Sequence, residues 1–285
     1  MKVLFLNKQG EPKWLIKIAL VLVTAFIFMT ILSVGVSILV NTFGGIDIVN
    51  LNNSGMMIFA ILQNVAFLLA VWLFVRFWEG RSLSIIGITN LTKNTKSDLI
   101  FGMALGAVSI TVIFLILLLT GSIEANLSTF DLELFGYLVS GLFMFSMVAF
   151  VEELFARGYC MTVITKERGM ALAVVISSII FAILHIGNPN LTLIGILNIF
   201  LVGLLFAAMF FFTDNLWMPI GYHLTWNFFQ GNIFGFSVSG LPVQGLFSIE
   251  YVGNNIFTGG AFGIEGGLVT TFVIISGFFV LYKRP

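Results

Sequence analysis

Long apolar runs recur from one end of this chain to the other, with few charges between them. A hydrocarbon core about 30 Å thick requires roughly 20 apolar residues in each spanning helix. Only 9% of the 285 residues are charged, whereas soluble domains average about 25%. We therefore predict an all-α fold, a polytopic transmembrane helical bundle that forms a single integral membrane domain over residues 1–285. About eight membrane helices are expected, at 16–40, 56–77, 99–120, 134–157, 170–187, 191–212, 216–236 and 267–283.

The positive charges predict the orientation of this bundle, because all thirteen fall on one side of the eight-helix arrangement. They are Lys2, Lys8, Lys13, Lys17, Arg76, Arg81, Lys93, Lys96, Arg157, Lys166, Arg168, Lys283 and Arg284. Connections rich in Lys and Arg stay on the cytoplasmic side, so both termini are predicted to be cytoplasmic. The opening apolar run is interpreted as a retained first helix. The bilayer is the expected partner, and no basic surface suited to nucleic acid is indicated.

A few polar side chains interrupt the predicted helices, and both histidines of the chain are among them. They are Glu152, Glu153 and Arg157 on the fourth helix, His185 on the fifth, and His223 with Asn227 on the seventh. An ionisable residue inside a membrane is costly unless it faces protein or a water-filled cavity, so it indicates a functional site by default. The motif-bearing core is predicted to span about 134–236.

The spacing of these residues favours one shared site. Glu153 and Arg157 are four apart on one helical face, where a glutamate that precedes an arginine makes a favourable pair. His223 and Asn227 are also four apart and can face one small volume. Glu152 reaches the depth of His185 only if the fourth helix continues to about residue 165, with Tyr159 and Lys166 on a projecting extension. His223 reaches it only through a raised turn at 213–217.

A carboxylate in a partly dry cavity suits general-base work on water. Histidine and asparagine side chains supply donors that could position the water or stabilise a developing oxyanion. The set therefore favours peptide hydrolysis, and no serine or cysteine nucleophile is indicated by the spacing. The single cysteine, Cys160, is interpreted as a small buried side chain, which is the usual state of a free cysteine.

Three sequence motifs carry a family resemblance. EELFAR (152–157) fits E-E-x-x-x-R, FAILH (181–185) fits F-x-x-x-H, and HLTWN (223–227) fits H-x-x-x-N, in that order on successive helices. Together they resemble the CAAX protease and bacteriocin-processing family of intramembrane proteases, also called the Abi family. The composition and short loops are similar to a bacterial member, which implies the bacterial cytoplasmic membrane.

The resemblance implies a role for each motif residue. Glu152 would activate the water, and His185 would help to position it. His223 and Asn227 would stabilise the oxyanion. The supporting residues would be Glu153 and Arg157, which orient the site, and Phe181, which walls it. The substrate class implied is a membrane-associated or lipidated peptide or protein.

Several alternatives stay open on the sequence alone. The cofactor is unknown; water activated by glutamate without a metal is favoured, and zinc held by Glu152, His185 and His223 is the alternative. A non-catalytic scaffold or bacteriocin-immunity factor of the same fold, and a proton-coupled transporter, are the alternative functions. The glycine-rich connection 237–266 is interpreted as a flexible loop or a lid. Substrate identity, cleavage site and oligomeric state are not indicated by any sequence feature.

Overall fold

The computed structural model describes residues 6–7, 10–43 and 53–284, and in this part the chain is an all-α helical bundle. Its helices are α1 (Trp14–Phe43), α2 (Asn53–Leu73), α3 (Lys93–Leu119), α4 (Leu132–Glu153), α5 (Met161–Arg168), α6 (Met170–Leu184), α7 (Leu193–Thr213), α8 (Trp217–Phe228) and α9 (Leu268–Tyr282). Each of the eight predicted runs is helical over most of its length. The predicted fold class is confirmed.

Five stretches of helix are long and apolar enough to cross a membrane. They are Trp14–Leu39, Ile58–Trp78, Lys93–Leu119, Leu132–Arg168 and Leu193–Thr213. Helices α6 and α9 are apolar but shorter, at 15 residues each. Helix α8 has 12 residues and is continued by a π-helical turn, Phe229–Ile233. Two members of the charge pattern, Lys2 and Lys8, lie outside the described residues.

The fourth predicted helix continues well past Glu153, as the depth argument requires. A π-helical segment, Leu154–Cys160, joins α4 to α5, and the helix ends at Arg168 before Gly169, whose φ is 83°. Tyr159 lies on this extension as predicted, but its side chain is buried because other segments pack over it. It packs in a core that includes Ile18 of α1 and Ile86, while Cys160 is buried as predicted.

Helices α3 and α8 approach each other through glycines, as the small-residue spacing indicates. A Cβ added at Gly102 would lie 2.1 Å from the Met218 carbonyl oxygen, and one at Gly106 would lie 2.4 Å from that of Tyr222. Only glycine permits such backbone contact. In a membrane, where lipid is as apolar as the helices, close packing of this kind drives helix association. It holds α8, which carries His223, against α3.

The connection between α8 and α9 has regular structure where a flexible loop or a lid was expected. Its strand β2 (Phe247–Tyr251) pairs antiparallel with β1 (Ile123–Leu127), and Ala125 stands opposite Ile249. A helical turn at Asn255–Thr258 and two 3₁₀ turns follow, at Gly260–Phe262 and Ile264–Gly266. We call residues 237–266 the outer connection.

Candidate active site

Two adjacent glutamates end α4 in different environments, because successive residues of a helix point about 100° apart. The side chain of Glu152 is 33% exposed and lines a cavity. That of Glu153 is fully buried. One carboxylate is therefore open to a reactant, and the other is part of the protein interior.

Arg157 neutralises the buried glutamate one helical turn later. Its Nη1 donates to Glu153 Oε1 at 2.9 Å, and its Nη2 donates to the carbonyl oxygen of Gly203 on α7 at 3.0 Å. The guanidinium carbon lies 4.2 Å from the centroid of the Phe181 ring and 5.1 Å from that of Phe206. Since both charged side chains are fully buried, the pair is held by charge, hydrogen bonds and aromatic faces together.

The same glutamate orients His223. Glu153 Oε1 lies 3.1 Å from His223 Nδ1, and the imidazole stacks on Phe206 with ring centroids 5.2 Å apart. A carboxylate accepts hydrogen bonds, so Nδ1 carries the proton in this contact. The other ring nitrogen, Nε2, then faces Glu152, with 3.9 Å to its Oε2.

A backbone carbonyl fixes the orientation of the His185 ring. His185 ends α6, and its Nδ1 lies 2.8 Å from the carbonyl oxygen of Phe181, one turn earlier. A carbonyl accepts, so Nδ1 is again the protonated nitrogen. Its Nε2 is left unprotonated in the neutral ring and lies 3.9 Å from Glu152 Oε2.

Glu152 Oε2 is thus 3.9 Å from each histidine Nε2, although the three residues come from α4, α6 and α8. Within the described part of the chain this oxygen is buried and has no hydrogen-bond partner. A gap of 3.9 Å is too long for a direct hydrogen bond but fits a bridging water about 2.8 Å from both atoms. Asn227, one turn after His223, lines the same cavity.

The donor set does not fit zinc as it is arranged. Zinc bonds of about 2.0–2.1 Å in a tetrahedral site would place ligand atoms about 3.4 Å apart, which is less than the separations at Glu152. No group of three His, Cys, Asp or Glu residues is arranged to hold a metal ion among the residues with described positions.

The cavity has a volume of about 840 Å³ and runs beside α4 from Glu133 to Ala156. Its wall is mostly apolar. The polar or charged lining residues are Gln63, Asn64, Glu133, Tyr137, Ser140, Glu152, His185, Asn188, His223, Asn227, Asn232, Ser239, Gln244 and Glu265. Asn198 does not line it; its amide nitrogen donates to the carbonyl oxygens of Glu265 and Gly267, and its amide oxygen accepts from Thr271.

Sequence reasoning missed the cavity residues of the outer connection, and Ser239 and Glu265 are among them. Burial raises the pKa of the Glu265 carboxyl, while hydrogen bonds from Ser239 oppose that rise. The one sequence feature that points to Glu265 is an acidic residue within a glycine-rich segment. Nothing in the spacing indicates that this segment folds back to the three sequence motifs.

Residues 133–229 match the sequence model of a known family, described as type II CAAX prenyl endopeptidase Rce1-like. The match spans about a third of the chain and includes all three motifs. The resemblance is therefore confirmed over this region, and an integral membrane protein with an Rce1-like domain agrees with the five long apolar helices. No curated protein matches the chain.

Proposed function

From the Rce1-like domain and the cavity within it, we propose that this protein is an intramembrane endopeptidase. It hydrolyses a peptide bond in a membrane-associated or lipidated peptide. The observation that carries the proposal is the convergence of Glu152 with two histidines, each Nε2 being 3.9 Å from the same carboxylate oxygen. A structural ion pair does not account for the position of Glu152, because Arg157 pairs with Glu153 and not with Glu152.

Glu152 and His185 have different roles in the proposed reaction. A water bound between Glu152 Oε2 and His185 Nε2 attacks the substrate carbonyl carbon, and Glu152 takes its proton as general base. Glu152 then returns that proton to the leaving nitrogen as the carbon–nitrogen bond breaks. His185 keeps the water in line, because its own Nδ1 is held by the Phe181 carbonyl.

His223 and Asn227 stabilise the oxyanion of the tetrahedral intermediate. The Asn227 amide donates directly. His223 donates as the imidazolium, with Nδ1–H on Glu153 and Nε2–H toward the cavity, because the neutral ring held by Glu153 has no proton on Nε2. Donors already fixed toward developing charge lower the barrier without reorganisation.

The proposed orientation places the end of the molecule at α5 in the cytoplasm, in a bacterial cytoplasmic membrane. Lys17 of α1 and Lys166 of α5 both bind Glu11, so basic residues from distant parts of the chain lie at one end of the bundle. Such a basic end is typical of the cytoplasmic side. A cysteine introduced at Lys166 should react with an impermeant thiol reagent only after the membrane is opened.

The first experiment compares purified wild type with Glu152→Gln on a panel of prenylated and unmodified peptides, with and without a chelator. Removing a general base should lower kcat by about 10²- to 10⁴-fold. Glu124→Gln, an exposed carboxylate on β1 outside the cavity, is the matched control and should keep full activity.

The alternatives give other results in the same assay. Cleavage that a chelator abolishes and zinc restores would make the enzyme a metalloprotease and overturn the metal-free mechanism. Peptide binding without cleavage by either protein would favour the non-catalytic scaffold or immunity factor.

A further inference from the structure

The outer connection forms one wall of the catalytic cavity. Its contributions, from two separate parts of the connection, are Val238, Ser239, Leu241, Pro242, Val243, Gln244 and Glu265. Most of these side chains are apolar, and Glu265 is the ionisable one. Whatever peptide occupies the cavity lies against this wall as well as against α4.

Glu265 is fixed in that wall. The backbone N–H of Ser239 donates to its Oε2 at 2.5 Å, and the Ser239 hydroxyl donates to the same oxygen at 3.1 Å. Asn198 of α7 holds the main-chain carbonyl of Glu265 at 2.8 Å. Two residues earlier, Gly263 has φ 95°, and a Cβ there would lie 2.1 Å from the Ser237 carbonyl oxygen. This close backbone contact sets the direction of the carboxylate.

Glu265 also shares the cavity with the reacting groups. It lines the same cavity as Glu152 and His185, and His185 Nε2 is 3.9 Å from the Glu152 carboxylate. A peptide held in this cavity with its scissile bond at Glu152 therefore also reaches Glu265.

The cavity offers negative charge and no strong positive charge. Its lining includes Glu133, Glu152 and Glu265 but no Lys or Arg among the described residues. Arg157 lies beside the site, yet it is buried and bound to Glu153 and Gly203. A bound C-terminal carboxylate would find no basic side chain here.

We propose that Glu265 is a specificity-determining residue that selects substrates with a lysine or arginine side chain near the scissile bond. This rests on the proposed peptidase function and names its substrate class. A cationic side chain in the partly dry cavity would favour the ionised form of Glu265 and pair with it, whereas a neutral or acidic side chain would leave this buried carboxyl without a partner of opposite charge.

The test uses peptides that differ only by lysine, norleucine or glutamate at positions flanking the cleaved bond. Wild type should cleave the lysine peptide with kcat/KM about tenfold or more above the norleucine peptide, as a charge-assisted hydrogen bond predicts. Glu265→Gln keeps an oxygen for the Ser239 N–H, and it should lower the ratio of kcat/KM for the lysine peptide over the norleucine peptide to about one. Glu265→Lys should prefer the glutamate peptide. Glu250→Gln, exposed on the same connection and outside the cavity, should keep the lysine preference.

The possible outcomes distinguish the preference for lysine from the cleavage of the peptide. Equal loss on all three peptides in Glu265→Gln would show a merely structural role and overturn the inference, as would cleavage by wild type without a lysine preference. Fluorescence anisotropy of the same peptides with Glu152→Gln measures selection independently of cleavage. If wild type cleaves nothing, the proposed function fails. A lysine preference in binding that Glu265→Gln removes would still support the inference, and equal affinities would overturn it.

Discussion

Replacing Arg157 with methionine should destabilise the protein more than any exposed charge removal on the same helix. The change deletes the donor to Glu153 at 2.9 Å and the donor to the Gly203 carbonyl at 3.0 Å. It leaves a fully buried carboxylate with only His223 Nδ1, at 3.1 Å, within hydrogen-bond distance in the described structure. Removing one member of a buried ion pair typically costs about 3–5 kcal/mol.

The loss of stability in Arg157→Met should come from the buried charge left on Glu153 and not from the lost side-chain volume. A double variant distinguishes these two causes. In Glu153→Gln/Arg157→Met the interior carries neither charge, so the double variant should be more stable than Arg157→Met alone. At roughly 2 °C per kcal/mol for a chain of this size, Arg157→Met should lower the melting temperature by about 6–10 °C in mild detergent.

Thermal unfolding followed by intrinsic fluorescence is the assay, with Arg168→Met as the matched control. The side chain of Arg168 is 53% exposed and only 3.9 Å from Glu167, and an exposed pair of this kind contributes about 0–1 kcal/mol. If Arg157→Met melts within 2 °C of the control, roughly the shift expected from 1 kcal/mol, the buried pair does not stabilise the fold. If the double variant melts below Arg157→Met, the stranded charge is not the cause.

Two further outcomes follow from packing and from the basic end of the bundle. Gly106→Ala should lower the melting temperature by several degrees, because its Cβ would lie 2.4 Å from the Tyr222 carbonyl oxygen. Gly35→Ala is the control, since a Cβ there has no atom within 4 Å and should leave the melting temperature unchanged. Equal melting temperatures of the two variants would refute the contact between α3 and α8. Hydrogen bonding to Lys166 lowers the pKa of Glu11 below its ordinary value of 4.5. The stabilisation is therefore present above pH 4.5 and lost as the pH falls through the lower, folded-state pKa. The protection factor against hydrogen exchange near Trp14, which corrects for the intrinsic pH dependence of exchange, should fall over that acidic range in wild type and stay constant in Glu11→Gln. Identical protection profiles would contradict the role of Glu11.

The fold class and the convergence of the motifs could be predicted from sequence because both depend on local patterns. Apolar length identifies membrane helices, and spacings of four residues place Glu153 with Arg157 and His223 with Asn227 on shared faces. The extension of the fourth helix followed from the depth at which Glu152 has to meet His185.

Other features depend on contacts between distant parts of the chain, which no local pattern records. Tyr159 is buried because α1 and the segment around Ile86 pack over it. Glu265 reaches the cavity because Ser239, 26 positions earlier, and Asn198, 67 positions earlier, hold it there. Glycine content could suggest only a loop at this place.

The π-helical segment Leu154–Cys160 constrains how the length of this chain can vary. A π turn contains one residue more than an α turn, seen here where the Met161 N–H donates to the carbonyl oxygen of Ala156, five residues back. Deleting one residue would let this turn relax to an α turn while the helix on either side keeps its orientation, because a π turn differs from an α turn by that one residue. Ile164 would stay in the core and Lys166 beside Glu11. A deletion within the regular α5 would instead rotate the residues beyond it by about 100°. The π turn is therefore the place where this helix can lose a residue without changing what its two ends contact.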